Sequence, residues 1–135
     1  MSDREMALLY LTKAQRDFKA LTGMLDPDVF THEIYGFHAQ QAIEKALKAW
    51  IAGIGIQSPR YHDIAQLLEL LKDNGQEVGE LLELVEFNIY AVFYRYAENE
   101  VDPPPFKRKD IIIKIQSLLN LVESIINNGP NSLTV

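Results

Sequence analysis

Apolar residues recur every three or four positions along five stretches of the chain, and this spacing predicts helices and no strand. A capping box formed by Ser2 and Glu5 marks the start of the first helix, and Asp26-Pro27-Asp28 interrupts its pattern. The proline triplet Pro103-Pro104-Pro105 separates the last two helices, because proline cannot continue a helix. The five expected helices cover about residues 2–25, 29 or 31–52, 61–73, 78–96 and 106–126.

Short connections between these stretches predict an antiparallel up-down four-helix bundle with an additional short helix, five helices in all. A chain of 135 residues has the size of one domain. We therefore expect a single helical bundle domain over residues 1–129. Residues 130–135 are expected to form a flexible tail.

Composition narrows the classes of function. The absence of cysteine excludes disulfides, thiolate catalysis and cysteine-zinc sites. The net charge of −6 argues against non-specific coating of nucleic acid, so DNA is not an expected partner. Local basic groups remain at Lys13 with Arg16, at Lys45 with Lys48, and at residues 107–109. No apolar run is long enough to cross a bilayer and no signal-peptide pattern occurs, so we expect no membrane association and a cytoplasmic location.

The second helix carries two stripes of side chains. One is apolar and typical of a helix face that packs on a core. The other is polar and partly basic, which indicates chemistry presented on a different side of the same helix. The apolar stripe is Ile43, Ala46, Leu47, Trp50 and Ile54, and the polar stripe is His38, Gln41, Lys45 and Lys48.

Four short motifs follow one another along the chain: Ala14 with Asp17, the run Gln41-Ala42-x-Glu44-Lys45-x-Leu47-Lys48-Ala49, the triplet His62-Asp63-Ile64, and Arg95-Tyr96. In this order they resemble the pattern of HEPN domains, small all-helical proteins of prokaryotes that also occur in higher eukaryotes. The resemblance covers residues 5–127. It implies a homodimer in which the ends of the fourth helices meet in a cleft.

The resemblance also implies an activity to be tested. Several HEPN proteins are metal-independent ribonucleases, often toxins paired with a small nucleotidyltransferase antitoxin. Their signature is an arginine followed after four to six residues by a histidine. That pair suits RNA cleavage, since histidine can move the ribose 2′-hydroxyl proton while arginine stabilises charge developing on the phosphate.

This chain departs from the ribonuclease signature. Beyond Arg95, the expected histidine positions hold Glu100, Val101 and Asp102. The incomplete motif favours a non-enzymatic protein, with no catalytic residue assigned. We expect a nucleotide- or RNA-binding module that works with a small nucleotidyltransferase in a toxin–antitoxin-like or nucleotide-transfer system. Two alternatives stay open: a ribonuclease toxin that uses Arg95 with a non-standard base, and a structural protein-interaction bundle.

The motif residues supply the candidate site. Those expected to bind a nucleotide or phosphate are Gln41, Lys45, Lys48, Arg95 and Tyr96, and those expected to support them are His38, Glu44, His62 and Asp63. Each has a structural alternative. The glutamine and the glutamate could satisfy buried polar groups, with Glu44 paired to Lys48, and the two lysines could be solvated. Asp63 could cap a helix, and Arg95 could pair with an acid.

No metal site and no cofactor are expected. The three histidines, His32, His38 and His62, lack the spacing of a helical metal site, and no Glu-x-x-His motif occurs. The segment Gly53-Ile54-Gly55 ends a predicted helix instead of opening one, and no Gly-rich phosphate loop is present in the sequence.

Overall fold

The computed structural model of the protein describes residues 1–93 and 106–128. Within these ranges every regular element is helical, which confirms the predicted all-α class. The elements are α1 (Asp3–Thr22), α2 (His32–Gly53), α3 (Ile64–Asp73), a 3-10 helix (Gly79–Phe87), α4 (Asn88–Phe93) and α5 (Arg108–Asn127). No helix in the described part of the chain is both long and apolar enough to span a bilayer.

Helix α1 starts at the predicted capping residue. The Ser2 hydroxyl oxygen accepts a hydrogen bond from the Glu5 amide at 3.1 Å, and the hydroxyl donates to the Glu5 carboxylate at 3.2 Å. The helix ends at Thr22, before the expected proline break, because the Gly23 amide bonds back to the Ala20 carbonyl and closes the last turn. The buried face of α1 consists of Ala7, Leu11, Ala14 and Leu21.

Helix α2 is the central element of the fold. It contacts α1, α3, the 3-10 helix, α4 and α5. Four members of its predicted apolar stripe, Ile43, Ala46, Leu47 and Trp50, are buried, whereas Ile54 follows the end of the helix and is only partly buried. Trp50, near the end of α2, donates its indole N–H to Gln76 at 2.9 Å. Burial extends beyond that stripe, because Gln40, Glu44 and Lys48 are buried as well. A helix surrounded on most sides fixes the position of every polar group that it carries.

Two arginines join the ends of α5 to the first half of the chain. Arg4 donates to the Ile126 carbonyl at 2.8 Å, so the start of α1 lies beside the end of α5. Arg108, at the start of α5, donates to the carbonyls of Met24 and Phe30, each at 2.6 Å. Helices α1 and α5 are therefore antiparallel, and Arg108 closes the α1–α2 connection. The remaining detail of the predicted up-down bundle stays a prediction.

The single α-helix expected over residues 78–96 is wrong in its first half, which forms a 3-10 helix. The apolar residues there fall at intervals of three: Val78, Leu81, Leu84 and Phe87. Side chains three apart are eclipsed in a 3-10 helix, so this spacing places all four on one side. The α-helical geometry starts at Asn88, whose side chain accepts from the Ile64 amide at 2.7 Å and donates to Asp63 at 2.9 Å. The end of that expected helix lies outside the described residues.

An aromatic cluster joins α2, α4 and α5. The rings of His32 and Phe106 stack with centroids 4.2 Å apart, and the Tyr90 hydroxyl lies 2.6 Å from His32 Nε2. Tyr35 donates its hydroxyl to the Arg108 carbonyl at 3.2 Å, and the guanidinium lies 4.8 Å from its ring centroid. Burial raises the pKa of Tyr35 to about 12, although nearby Arg108 lowers it. Burial also raises the pKa of Tyr90.

These buried phenols predict a loss of stability at alkaline pH. A tyrosine in the unfolded chain has a pKa of about 10, so above that pH the unfolded state releases protons that the folded state keeps. The free energy of unfolding is unaffected by these groups below pH 10, and it falls by about 1.4 kcal/mol per pH unit for each buried tyrosine above it. Urea unfolding at pH 8, 10 and 11 should show a smaller fall for Tyr35→Phe. The control is Tyr61→Phe at an exposed ring, and an equal fall in both variants would contradict the assignment.

Candidate functional site

A cleft of about 510 Å³ opens beside α2. Its walls come from α1, α2, α4 and the connection that precedes α3. The residues that line it are Tyr10, Lys13, Phe37, Gln40, Gln41, Glu44, Lys45, Lys48, His62 and Ala91. Three lysines and one glutamate give these walls a net positive formal charge, whereas the whole chain carries −6. The cleft is therefore more favourable to an anion than the average surface of this protein.

A buried ionic cluster forms one wall of the cleft. The Lys48 ammonium lies 3.3 Å from Glu44 Oε1, and the His62 Nδ1 atom also contacts this carboxylate oxygen. The side chains of Glu44 and Lys48 are only 5% and 7% exposed, whereas that of His62 is 71% exposed. The buried Glu44 carboxylate is thus paired with the Lys48 ammonium, and it also orients His62 at the rim of the cleft.

The local sequence explains how these three side chains meet. Glu44 and Lys48 are one helical turn apart on α2 and so share a face. Asp63 caps α3, as the sequence suggested, by accepting from the amides of Ala65 at 2.8 Å and Gln66 at 3.2 Å. That cap ends the preceding connection at a fixed point and leaves His62 next to α2. The Ser58 hydroxyl holds the same connection by donating to the Lys48 carbonyl at 3.1 Å.

A second ion pair crosses from α1 to α2. The Lys45 ammonium lies 2.6 Å from Asp17 Oδ2, with side chains 27% and 22% exposed. Asp17 is the acid of the first-helix motif, so two of the four motifs meet here. The alternative of a solvated lysine is wrong for Lys48, which is buried and paired with Glu44, whereas Lys45 is paired with Asp17 and stays partly exposed. Both lysines line the cleft, but the Lys45 side chain is 27% exposed and that of Lys48 only 7%.

Two adjacent glutamines lie on the floor of the cleft. Gln41 donates from Nε2 to the Gln40 side-chain carbonyl at 2.7 Å. Gln40 is fully buried, and its Nε2 atom has no hydrogen-bond partner in the described part of the chain. A buried donor without a partner costs about 1–3 kcal/mol, so such a group calls for an explanation. A bound molecule that supplies a hydrogen-bond acceptor would explain this buried donor.

The remaining walls add aromatic surface and a cation. Tyr10 and Lys13 lie three residues apart on α1 and therefore share a face, while Phe37 faces them from α2. Both rings are half-buried, and Lys13 is exposed. Within residues 1–93 and 106–128, no carboxylate forms a salt bridge with Lys13.

The structure brings together five of the predicted site residues: Gln41, Glu44, Lys45, Lys48 and His62 all line the cleft. Two others lie elsewhere. His38 packs edge-on against the Phe37 ring with centroids 5.5 Å apart, and Asp63 caps α3. Arg95 and Tyr96 lie outside the described residues.

Sequence reasoning missed Tyr10, Lys13, Phe37 and Gln40 as cleft residues. A signal existed for two of them. Lys13 belongs to one of the local basic groups of the sequence, and Tyr10 lies three positions before it on the same predicted helix. The sequence does not show that this face of α1 packs beside the polar stripe of α2, because helix pairing depends on the whole packing arrangement.

The described residues define an all-helical domain whose second helix is central and carries a polar cleft. The model of the HEPN domain family matches residues 7–128, and the chain belongs to this family. Neither a curated protein nor a solved structure matches the chain. The family assignment confirms the resemblance drawn from the four motifs.

Proposed function

We propose that this chain is a non-catalytic HEPN-type module that binds a nucleotide or a short segment of RNA in the cleft. One observation carries the proposal: a positively charged cleft with aromatic side chains lies beside a buried amide donor, Gln40 Nε2, that has no partner among residues 1–93 and 106–128. The three features suit three chemical features of a nucleotide: its anionic phosphate, the flat face of its base and the polar edge of that base.

The aromatic rings supply a surface for the base. Stacking of a nucleobase on an aromatic side chain contributes about 1–3 kcal/mol and tolerates any base. Tyr10 and Phe37 are both half-buried and both line the cleft, so the two rings contribute aromatic surface to its walls. The partly exposed Gln41 amide lines the cleft and is held by Gln40 through their 2.7 Å hydrogen bond, so it is available for a hydrogen bond to a base edge.

Cations supply the binding energy for the phosphate. Lys13 is exposed and has no acidic partner among the described residues, so it can pair with a phosphate without breaking another contact. Lys45 would exchange Asp17 for the phosphate. Lys48 already neutralises a buried carboxylate, and its role in the proposal is to hold Glu44 and His62 in place. Arg95 and Tyr96 keep their proposed binding role on the strength of the family motif.

The partners follow from the family and not from the geometry. We propose a cytoplasmic homodimer that works with a small nucleotidyltransferase in a toxin–antitoxin-like or nucleotide-transfer system. The detailed four-helix bundle belongs to the same proposal. Co-purification of the two proteins from the native host, followed by measurement of the oligomeric mass, tests these statements directly.

Cleavage of RNA is a second candidate function, favoured by His62. A histidine oriented by a buried carboxylate, with most of its ring exposed at the cleft rim, has the arrangement of a general base. It would serve as the non-standard base of a ribonuclease that uses Arg95. We rank it second because two acids and a valine occupy the family's histidine positions after Arg95.

Lys13→Ala is the variant that tests nucleotide binding most directly. It should weaken binding of oligouridine about fivefold, or ~1 kcal/mol, because it removes one exposed phosphate contact. It should also reduce the slope of log affinity against log salt by about 0.7. Calorimetric titration at several salt concentrations measures both quantities. The matched control is Lys19→Ala, which removes an exposed lysine from the same helix outside the cleft.

Four outcomes, two of this titration and two of an incubation with RNA, would decide between the functions. Equal effects of Lys13→Ala and Lys19→Ala would place any binding outside the cleft and overturn the proposal. Absence of binding by the wild-type protein would do the same and leave the protein-interaction bundle. RNA recovered intact after incubation in a metal chelator supports the non-catalytic module. RNA cleavage that stops in His62→Ala would support the second candidate instead.

A further inference from the structure

We propose that a groove between the 3-10 helix and α5 binds a basic amphipathic helix of a protein partner. The groove, named the acidic groove below, has Leu81 and Leu84 on one side and Ile113 and Ser117 on the other. Its volume is about 590 Å³, and a smaller cavity of about 290 Å³ continues it towards the start of α5. The acidic groove shares no residue with the nucleotide cleft, and the inference goes beyond the proposed function.

Apolar side chains are exposed along the acidic groove. Ile113 lines the groove from α5 and is 65% exposed, and Leu81 lines it from the 3-10 helix and is partly exposed. Ile113, Ser117 and Leu121 follow one another at steps of four residues, so they form one stripe along α5. Single exposed apolar residues are ordinary, but a stripe beside an apolar groove is the surface that a partner helix covers.

The charge of the acidic groove favours a basic partner. The groove and its continuation are lined by four acids, Glu80, Glu83, Glu86 and Asp110, and by two lysines, Lys107 and Lys114. Lys114 is occupied by an exposed pair with Glu83 at 3.0 Å. The resulting net charge of −2 repels phosphates and the same surface of a second copy, while it attracts lysine and arginine side chains. An apolar groove with an acidic rim therefore fits a helix that is apolar on one face and basic beside it.

The 3-10 helix sets the length of the partner segment. It runs for nine residues, although such helices rarely exceed four, and no side chain caps its start. At roughly 2 Å per residue it is about 18 Å long. An α-helix that covers it needs about twelve residues at roughly 1.5 Å each, or three turns. The strained hydrogen bonding of a long 3-10 helix also leaves this wall able to adjust to a bound helix.

A designed peptide tests the acidic groove with the full chain. The probe is a fluorescent three-turn helix that has leucines on one face and lysines elsewhere, and a second peptide replaces the lysines with glutamates. We expect saturable binding of the basic peptide by fluorescence anisotropy and none of the acidic one. Ile113→Lys should weaken binding by about tenfold, because it replaces apolar surface with a like charge.

The matched control is Val29→Lys, since Val29 is also 65% exposed but lies in the α1–α2 connection. It should leave peptide binding unchanged, and circular dichroism should show both variants folded. Equal binding by Ile113→Lys and the wild type, equal binding of the acidic peptide, or no saturable binding would each overturn the proposal. None of these results depends on whether the cleft binds a nucleotide.

Discussion

Gly36→Ala is expected to lower the free energy of unfolding by about 3 kcal/mol, which is a large part of the stability of a small domain. A Cβ atom at this position would lie below 3.0 Å from three ring atoms of Tyr90. The ring is 1% exposed and its hydroxyl bonds to His32, so it cannot move aside without breaking other contacts. Helix propensity alone predicts the opposite sign, a gain of about 1 kcal/mol. Urea unfolding of the two proteins distinguishes these expectations.

A double-mutant cycle isolates the contact between the glycine and the ring. In a Tyr90→Ala background the added methyl group has space, so Gly36→Ala should become neutral or slightly stabilising. Gly23→Ala is the control, because a Cβ there makes only an ordinary contact of 3.5 Å with the Ala20 carbonyl. An equal cost of Gly36→Ala in both backgrounds would show that something other than the ring opposes the substitution.

This close approach matters for the cleft as well as for the fold. Gly36 precedes Phe37 and Tyr90 precedes Ala91, and both of these neighbours line the cleft. The glycine lets α4 lie close to α2, which sets the width of the cleft between them. Gly36→Ala should therefore weaken nucleotide binding by the folded protein, in addition to its effect on stability.

The helix class and the central apolar stripe could be predicted because each depends on local spacing. Ile43, Leu47 and Trp50 are buried as their 3.6-residue period requires. The burial of the polar stripe could not be predicted from the same spacing. Lys48 shares a face with Lys45, yet only Lys48 is buried, because the connection before α3 folds over that end of the stripe. Periodicity shows which residues share a face and not what packs against that face.

The 3-10 helix illustrates a second limit. Leu81, Leu84 and Phe87 are spaced by three, and a pattern this short fits both an α-helix and a 3-10 helix. The choice is made by tertiary contacts, chiefly the hydrogen bonds of Asn88 with the start of α3. Only part of the cleft could be predicted from the sequence, for a similar reason. Its α2 residues belong to one motif, whereas Tyr10 and Lys13 come from a helix whose position only the packed structure gives.

Lys48→Ala is expected to destabilise the protein by about 3–5 kcal/mol, because it leaves the Glu44 carboxylate buried without its lysine. Both side chains of the pair are less than a tenth exposed, so the carboxylate is largely shielded from water. His62 contacts the same carboxylate from an exposed position and offers only partial compensation. Chemical unfolding near neutral pH measures the effect. The matched control is Lys45→Ala on the same helix, whose partly exposed pair with Asp17 should contribute about 1 kcal/mol or less.

Removal of both buried charges separates the cost of an unpaired ion from the value of the ion pair. The double variant Glu44→Leu with Lys48→Met retains comparable volume and carries no buried charge, so it should regain most of the stability lost in Lys48→Ala. Such recovery would mean that the pair is kept for the geometry of the cleft, where Glu44 orients His62. A cost of Lys48→Ala no larger than that of Lys45→Ala would contradict this account, because it would require the Glu44 carboxylate to be hydrated in solution.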